Sequence, residues 1–300
     1  MKASRLLAFG DTSQLTIEDI AQPVPGAGEV LVKIAASSLN HVETPLRQGY
    51  LQQMMPIELP ATLGIDLAGE VAEVGADVTR FAKGDRVIGR LAINGKGSHA
   101  EYAVAAATQL AKLPANVSFE AGATLGLVGL TGRQSVDATG AKPGDRVLVT
   151  GALGNVGRTA VQYLKELGIS VVGAVLPTQL EQAKASGLEA IVIDDSVKAK
   201  FDHVVETVGG PVAGLAIAAT KDGGTVAGTA GFPENANADD RVKIDNVFSG
   251  DNAAMLQGLA DAARRGELEL PVAQRFPLEQ LGAAYELLAT RPDGKIVITR

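Results

Sequence analysis

A chain of 300 residues, 46% hydrophobic and 20% charged, has the make-up of an ordinary soluble globular protein and room for two domains of roughly 100–200 residues each. Its net charge of −7, with no basic run longer than Arg264-Arg265, argues against nucleic acid or anionic membrane as a main partner, and 4% aromatics without Trp leave no base-stacking platform. The absence of cysteine excludes disulfides, thiolate nucleophiles and cysteine-held metals, and fits a reducing compartment.

In chain order, Met1 to Phe9 places Lys2 and Arg5 before a short apolar patch that Gly10-Asp11 ends. That patch is far shorter than the core of a secretion signal, so it reads as an edge strand. No stretch approaches the roughly 18 uninterrupted apolar residues of a spanning helix, and the cytoplasm is the expected location. Behind the turn Pro25-Gly26-Ala27-Gly28, residues 29–36 alternate apolar and polar side chains, as a half-buried strand does. Residues 68–74 and 86–88 repeat the pattern between Gly75 and Lys83-Gly84-Asp85, which predicts an antiparallel, barrel-like domain.

The pattern changes near residue 118. Ser118 reads as the N-cap of a helix opening with Phe119-Glu120-Ala121. From Arg146, strands over 146–150, 170–175, 190–193, 203–207 and 224–228 alternate with helices over 156–167, 178–186, 211–219 and 252–265. Repeated βα units of this size predict an α/β fold with a parallel, doubly wound sheet. The end is mixed again, with an apolar stretch at 276–278, a helix over 278–288 and a strand over 295–299. The expected domain limits are 1–118, 119–267 and 268–300.

The sharpest local feature runs from Val147 to Gly157: an apolar strand, the turn Gly151-Ala152-Leu153-Gly154, and a helix opening with Asn155-Val156-Gly157. Each glycine has its own reason in a dinucleotide site. Gly151 and Ala152 make the tight turn, Gly154 lets backbone N–H groups approach a diphosphate, and Gly157 lets helix pack on strand. The helix N-terminus adds unpaired N–H groups and a positive dipole end. The bland alternative is a glycine-rich βα turn without ligand. An NAD site usually carries Asp or Glu at the end of the second strand, but residues 173–179 contain no carboxylate. NADP(H) is therefore the expected cofactor. Thr178, Lys184 and Arg158 are candidates for its extra phosphate, or else plain surface residues.

Several segments, in order, resemble the medium-chain dehydrogenase/reductase superfamily, and within it the zinc-independent quinone oxidoreductases. They are residues 25–32, the loop from Asn40 through Glu43 and Arg47 to Gly49-Tyr50, residues 63–69 and 81–87, Leu127 to Thr131, residues 141–146, the glycine turn, residues 202–210 and the closing 294–298. The resemblance implies a GroES-like, β-barrel-type N-terminal domain completed by the C-terminal segment, a Rossmann domain between them, and a homodimer formed through the cofactor domains. It implies hydride transfer from NADPH to a quinone or α,β-unsaturated carbonyl. A 2-enoyl thioester reductase and a catalytically silent NADP(H)-binding sensor are the alternatives.

Metal-dependent members of the superfamily hold catalytic zinc with a Cys near position 40 and a Gly-His-Glu near 64. Here those places read Asn40 and Gly64-Ile65-Asp66, and the three histidines, His41, His99 and His203, show no ligand spacing. No metal is expected, so the substrate has to be electrophilic already.

By the resemblance, Asn40 bonds the substrate oxygen or the nicotinamide ribose; otherwise it is a turn residue bonding backbone. Tyr50 supplies a hydroxyl to a developing oxyanion, or packs as a loop aromatic. Thr131 resembles a cofactor contact, or is a helix Thr bonding back to its own turn. Arg133 reaches a phosphate or stays solvated. Gly228-Thr229-Ala230-Gly231-Phe232 follows a strand and is expected near the nicotinamide, with Gly228, Gly231 and Phe232 as contacts.

Overall fold

Six strands from the middle of the chain pair side by side, all parallel, in the computed structural model, which describes residues 1–235 and 240–300. From one edge to the other they are Ala190–Ile191, Ser170–Ala174, Arg146–Thr150, Phe201–Glu206, Thr220–Gly228 and Lys243–Asn246. Numbered by chain order, that is 3-2-1-4-5-6, the doubly wound order. The order of winding reverses between the parallel strands Arg146–Thr150 and Phe201–Glu206, the switch point beside which such sheets bind ligands. The helix Asn155–Glu166 buries Ala160, Val161 and Leu164 into a cluster with Val147, Val149 and Val205. The other face packs Leu148, Val172, Val204 and Val226 under Ala216 and Ile217 of the helix Pro211–Ala219.

This sheet belongs to one compact unit, residues 128–250; the other comprises residues 1–127 and 251–300. The expected limits lay at 118 and 267. The short helix Phe119–Ala123 packs instead on the strands Glu29–Ser38 and Asp66–Val74, and the helix Ala253–Arg264 on Leu110–Lys112. Ser118 caps its helix as expected, its hydroxyl accepting the Ala121 N–H at 3.1 Å.

In the larger unit, Val272–Pro277, Lys295–Thr299, Glu29–Ser38, Asp66–Val74, Arg86–Arg90 and Leu110–Lys112 form one sheet, with Tyr102–Ala106 also paired to Glu29–Ser38. Its pairs are antiparallel except Val272–Pro277 with Lys295–Thr299, whose parallel crossover carries the helix Leu281–Ala289. Lys2–Leu6 pairs with Leu15–Asp19 in a separate hairpin. Register matters most where Val297 faces Ser38 and the Leu39 N–H reaches Ile296 O at 3.0 Å. That pairing brings Lys295 beside Asn40.

Candidate functional site

The glycine turn sits at the carboxyl end of the first parallel strand, at the switch point. Gly151 has φ +59°, a left-handed conformation that favours glycine, and a Cβ there would lie 2.8 Å from Thr207 Oγ1. At Gly157 a Cβ would stand 2.1 Å from Gly151 O, so helix and turn touch backbone to backbone. Gly154 differs. It is exposed, and a Cβ would meet only Gly151 O, at 3.1 Å. The N–H groups of Asn155, Val156 and Gly157 have no acceptor among the described residues, as a first helical turn leaves them. The Arg158 guanidinium stands beside them, its Nε donating to Leu153 O at 2.7 Å. Ala152 and Leu153 are buried and anchor the turn in the core. This cradle, which a side chain would fill, fits a nucleotide diphosphate.

A clasp closes the far side. Thr150 donates its hydroxyl to Glu206 at 3.1 Å and accepts the Thr207 N–H at 2.9 Å. The Glu206 carboxylate is fully buried and takes the N–H groups of Val208 and Gly209 at 2.8 and 2.9 Å. A Cβ on Gly209 would lie 3.0 Å from Ala230, so the loops after the fourth and fifth strands lie against each other. Three carboxyl-end loops thus meet at the switch point.

The remaining cofactor candidates divide. Thr178 is exposed in the turn Pro177–Gln179 that follows the second strand. Lys184 lies further along, its ammonium 3.2 Å from Glu181 on an exposed helix face. Thr131 is half-buried on the helix Gly126–Thr139, and its carbonyl accepts the Ser135 hydroxyl. Phe232 folds back over Gly228: a Cβ there would lie 2.4 Å from the ring, which packs against the core cluster that holds Val204 and Val226. The room over Gly228 is thus filled from within the chain, and Gly231 turns the loop at φ +79°. Arg133 reaches neither solvent nor a phosphate. It is buried, stacks 4.7 Å from the centre of the Tyr163 ring and pairs with Glu166 at 2.7 Å.

In the larger unit lies a cluster that residue types alone did not single out. Asn40, Glu43, Asp66, His99, Tyr285 and Lys295 are all buried, Glu43, Asp66 and His99 completely. Asn40 Nδ2 donates to Asp66 at 2.9 Å and to Glu43 at 3.3 Å, while its Oδ1 accepts from the Lys295 ammonium at 2.7 Å. The opposite amide orientation would set N–H groups against an ammonium and an oxygen against two carboxylates. Both amide donors of Asn40 are therefore engaged inside the chain, which leaves a lone pair on Oδ1 for any ligand. Asp66 also accepts the Ser38 hydroxyl at 2.9 Å, the Leu127 N–H at 2.6 Å and the Lys295 ammonium at 3.3 Å.

Glu43 accepts from His99 Nε2 at 2.9 Å and from the Tyr285 hydroxyl at 3.0 Å. Burial, and then the Glu43 charge, push the Tyr285 phenol well above its usual pKa, so it stays a donor. His99 Nδ1 meets the Ser37 hydroxyl at 3.1 Å, and Arg300 donates to that same hydroxyl at 3.2 Å. An N–H on Nε2, directed at the Glu43 carboxylate, satisfies that contact. The buried Asp66 carboxylate faces the Lys295 ammonium, and the Arg47 guanidinium stacks 5.3 Å from the Tyr285 ring centre. Outside the cluster, partial desolvation and then the charges of Lys295 and Arg291 hold the His41 imidazole below its usual pKa. Tyr50 is 77% exposed, with no partner for its hydroxyl among the described residues.

Asn40, Ile65 and Asp66 do not fit zinc: one carboxylate and one amide remain, and an ammonium already sits on both. Among the described residues no group of three or more His, Cys, Asp or Glu could hold a metal. No helix among them is long and apolar enough to cross a membrane.

Two family models match the chain. Residues 26–115 match the family model of the alcohol dehydrogenase GroES-like domain, and residues 181–298 that of the zinc-binding dehydrogenases. The human quinone oxidoreductase is 36% identical over 205 residues, 68% of this chain and 59% of that protein's length. The chain thus matches well under two thirds of this relative. The quinone oxidoreductase of Coxiella burnetii covers 100% of this chain, and 99% of its own, at a TM-score of 0.87 and 27% identity. A mycobacterial protein solved in complex with NADPH covers 100% of both chains at a TM-score of 0.85 and 26% identity.

Proposed function

Since the chain belongs to the medium-chain dehydrogenase/reductase superfamily, on its quinone oxidoreductase-like side, we propose that it is an oxidoreductase that moves hydride from NADPH to a quinone or an α,β-unsaturated carbonyl without zinc. The observation that carries this reading is the glycine cradle at the switch point, where a Cβ on Gly157 would lie 2.1 Å from Gly151 O. When bound, the nicotinamide supplies the hydride; for a quinone, one hydride and one proton give the hydroquinone.

What the chain's own residues do follows from their placement. The N–H groups of Asn155, Val156 and Gly157 and the guanidinium of Arg158 hold the diphosphate. Leu176, 63% exposed just past the second strand, leaves no carboxylate to repel a 2′-phosphate, and Thr178 stands next to it. This favours NADPH over NADH. Tyr50 offers a free hydroxyl to a substrate oxyanion, and Asn40 offers an acceptor. Most of the rate would come from holding the two reactants in place. The strand Lys243–Asn246 leaves an outer edge of its sheet unpaired among the described residues, which supports a homodimer built by strand pairing; light scattering would read it.

Loss of NADPH absorbance with a panel of quinones and enones is the test. Turnover with NADPH faster than with NADH supports the proposal. Tight NADPH binding with no turnover on any acceptor would sink it and favour a binding-only role, which the fully engaged amide donors of Asn40 also suit.

A further inference from the structure

Lys295 opens the strand Lys295–Thr299 and is 2% exposed, so its ammonium has been taken out of water almost entirely. A buried charge of this kind persists only with partners, and here they are Asn40 Oδ1 at 2.7 Å and Asp66 Oδ2 at 3.3 Å. Asp66 faces the same demand with the opposite sign. It is completely buried, and besides Lys295 it is held by one hydroxyl, one amide and the Leu127 N–H at the start of the helix Gly126–Thr139. The neutral donors satisfy its lone pairs but cannot cancel its charge. Glu43, equally buried, is contacted instead by His99 and Tyr285. Lys295 is thus the cation in contact with Asp66, and it grips Asn40 with the same ammonium.

We propose that Lys295 is a positioning residue whose ammonium supplies the counter-charge of the buried Asp66 and fixes the Asn40 carboxamide in a single orientation. Three consequences follow. Zinc has no vacancy between Asn40 and Asp66 to enter. Removing the ammonium leaves Asp66 buried without a counter-charge. It also frees the Asn40 amide to turn, since the bond to Oδ1 is what tells its two ends apart. The last point rests on Asn40 belonging to the reaction site; the first two do not.

The tests use the full chain. Lys295→Met keeps the length of the stem and deletes the charge, and Lys295→Met combined with Asp66→Asn deletes both. Melting of the single variant should fall by roughly 10 °C, the loss expected when one partner of a buried pair is removed. The double variant should melt higher than the single one. If Lys295→Met does not fold at all, recovery of a folded double variant supports the pair, and failure of both alike overturns it. Equal melting of the single variant and the native protein also overturns it.

Dialysis of the native protein against micromolar zinc, followed by elemental analysis, should find no stoichiometric metal. Zinc at one per chain ends the proposal. In steady state with NADPH and 1,4-benzoquinone, the double variant should lose roughly tenfold or more in kcat with KM for NADPH unchanged, because the nucleotide cradle lies in the other unit. Unchanged kcat overturns the positioning of Asn40. A native protein with no quinone turnover would instead count against the proposed function, and would leave the melting and zinc results standing.

Discussion

Replacing Gly154 by Ala separates a nucleotide cradle from a tight turn that happens to be rich in glycine. Gly154 has φ −73° and ψ 167°, a conformation any L-residue adopts, so alanine brings no backbone strain. Its Cβ would meet a single protein atom, Gly151 O at 3.1 Å, a contact that a few tenths of an ångström relieves. Alanine is a poorer N-cap than glycine by up to about 1 kcal/mol, and it gains about 0.4–1 kcal/mol by restricting the unfolded chain. The two nearly offset, so the melting temperature should stay within a few degrees. Affinity should behave otherwise. The methyl group projects into exposed space beside the free N–H groups of Asn155, Val156 and Gly157, where a diphosphate has to settle. Losing one or two hydrogen bonds to a charged group costs about 1.5–3 kcal/mol each, which is roughly a 10- to 100-fold rise in Kd or more. Titration of NADPH followed by fluorescence, on protein shown to be folded by thermal melting, reads both quantities. A Kd within twofold of the native value, with the fold intact, would refute the cradle.

Gly157→Ala should act on both quantities at once. A Cβ 2.1 Å from Gly151 O forces the helix off the strand, so stability should drop by about 1–3 kcal/mol and NADPH binding should weaken with it; thermal melting unchanged from native would count against the packing. Leu176→Asp places a carboxylate where the second strand ends, and the ratio of kcat/KM for NADPH over NADH should fall by roughly tenfold or more; an unchanged ratio would show that the 2′-phosphate lies elsewhere. His41, desolvated and faced by Lys295 and Arg291, has a folded pKa below its unfolded value of about 6.5. Unfolding therefore takes up a proton as the pH falls below that value, and native stability declines there. His41→Asn removes the uptake, so its melting temperature should fall less than native between about pH 7.5 and about pH 5.5; parallel curves would contradict it.

Much of the doubly wound sheet was legible because several of its strands carry a short apolar run ended by a turn. Val147-Leu148-Val149 is the clearest case, and its strand lies at residues 146–150 as expected. Two elements of the same unit were not legible. Lys243–Asn246 is four residues long with charges at two of them, and only pairing with Thr220–Gly228 makes it a strand. The helix Gly126–Thr139 contains Gly126, Gly129 and Gly132, each costing about 1 kcal/mol of helix propensity. Contact explains two of them: a Cβ on Gly132 would lie 1.9 Å from Thr159 Oγ1, and one on Gly126 2.4 Å from Asp66 Oδ1. Propensity sees the cost of such glycines, and only the fold shows the close approach that requires them.

The buried cluster sets a different limit. Asn40, Glu43, Asp66 and Lys295 all stand in segments that resemble the family, yet only Asn40 was read as a site residue, because a residue type does not report its partners. Lys295 is separated from Asn40 by 255 positions, and the antiparallel register of Lys295–Thr299 on Glu29–Ser38 is what joins them. A signal was present all the same. Asp66 puts a carboxylate between Ile65 and Leu67, in a stretch otherwise apolar enough to be buried, and a buried carboxylate demands a cation. Asking which basic residues sit in equally apolar surroundings leaves Lys295, ahead of Ile296-Val297-Ile298, beside Lys33, between Val32 and Ile34, and only burial separates the two: Lys33 is exposed and Lys295 is not. Charge balance within a core is thus a constraint on tertiary pairing that can be written from sequence, provided burial is inferred first and the partner is sought without regard to distance along the chain.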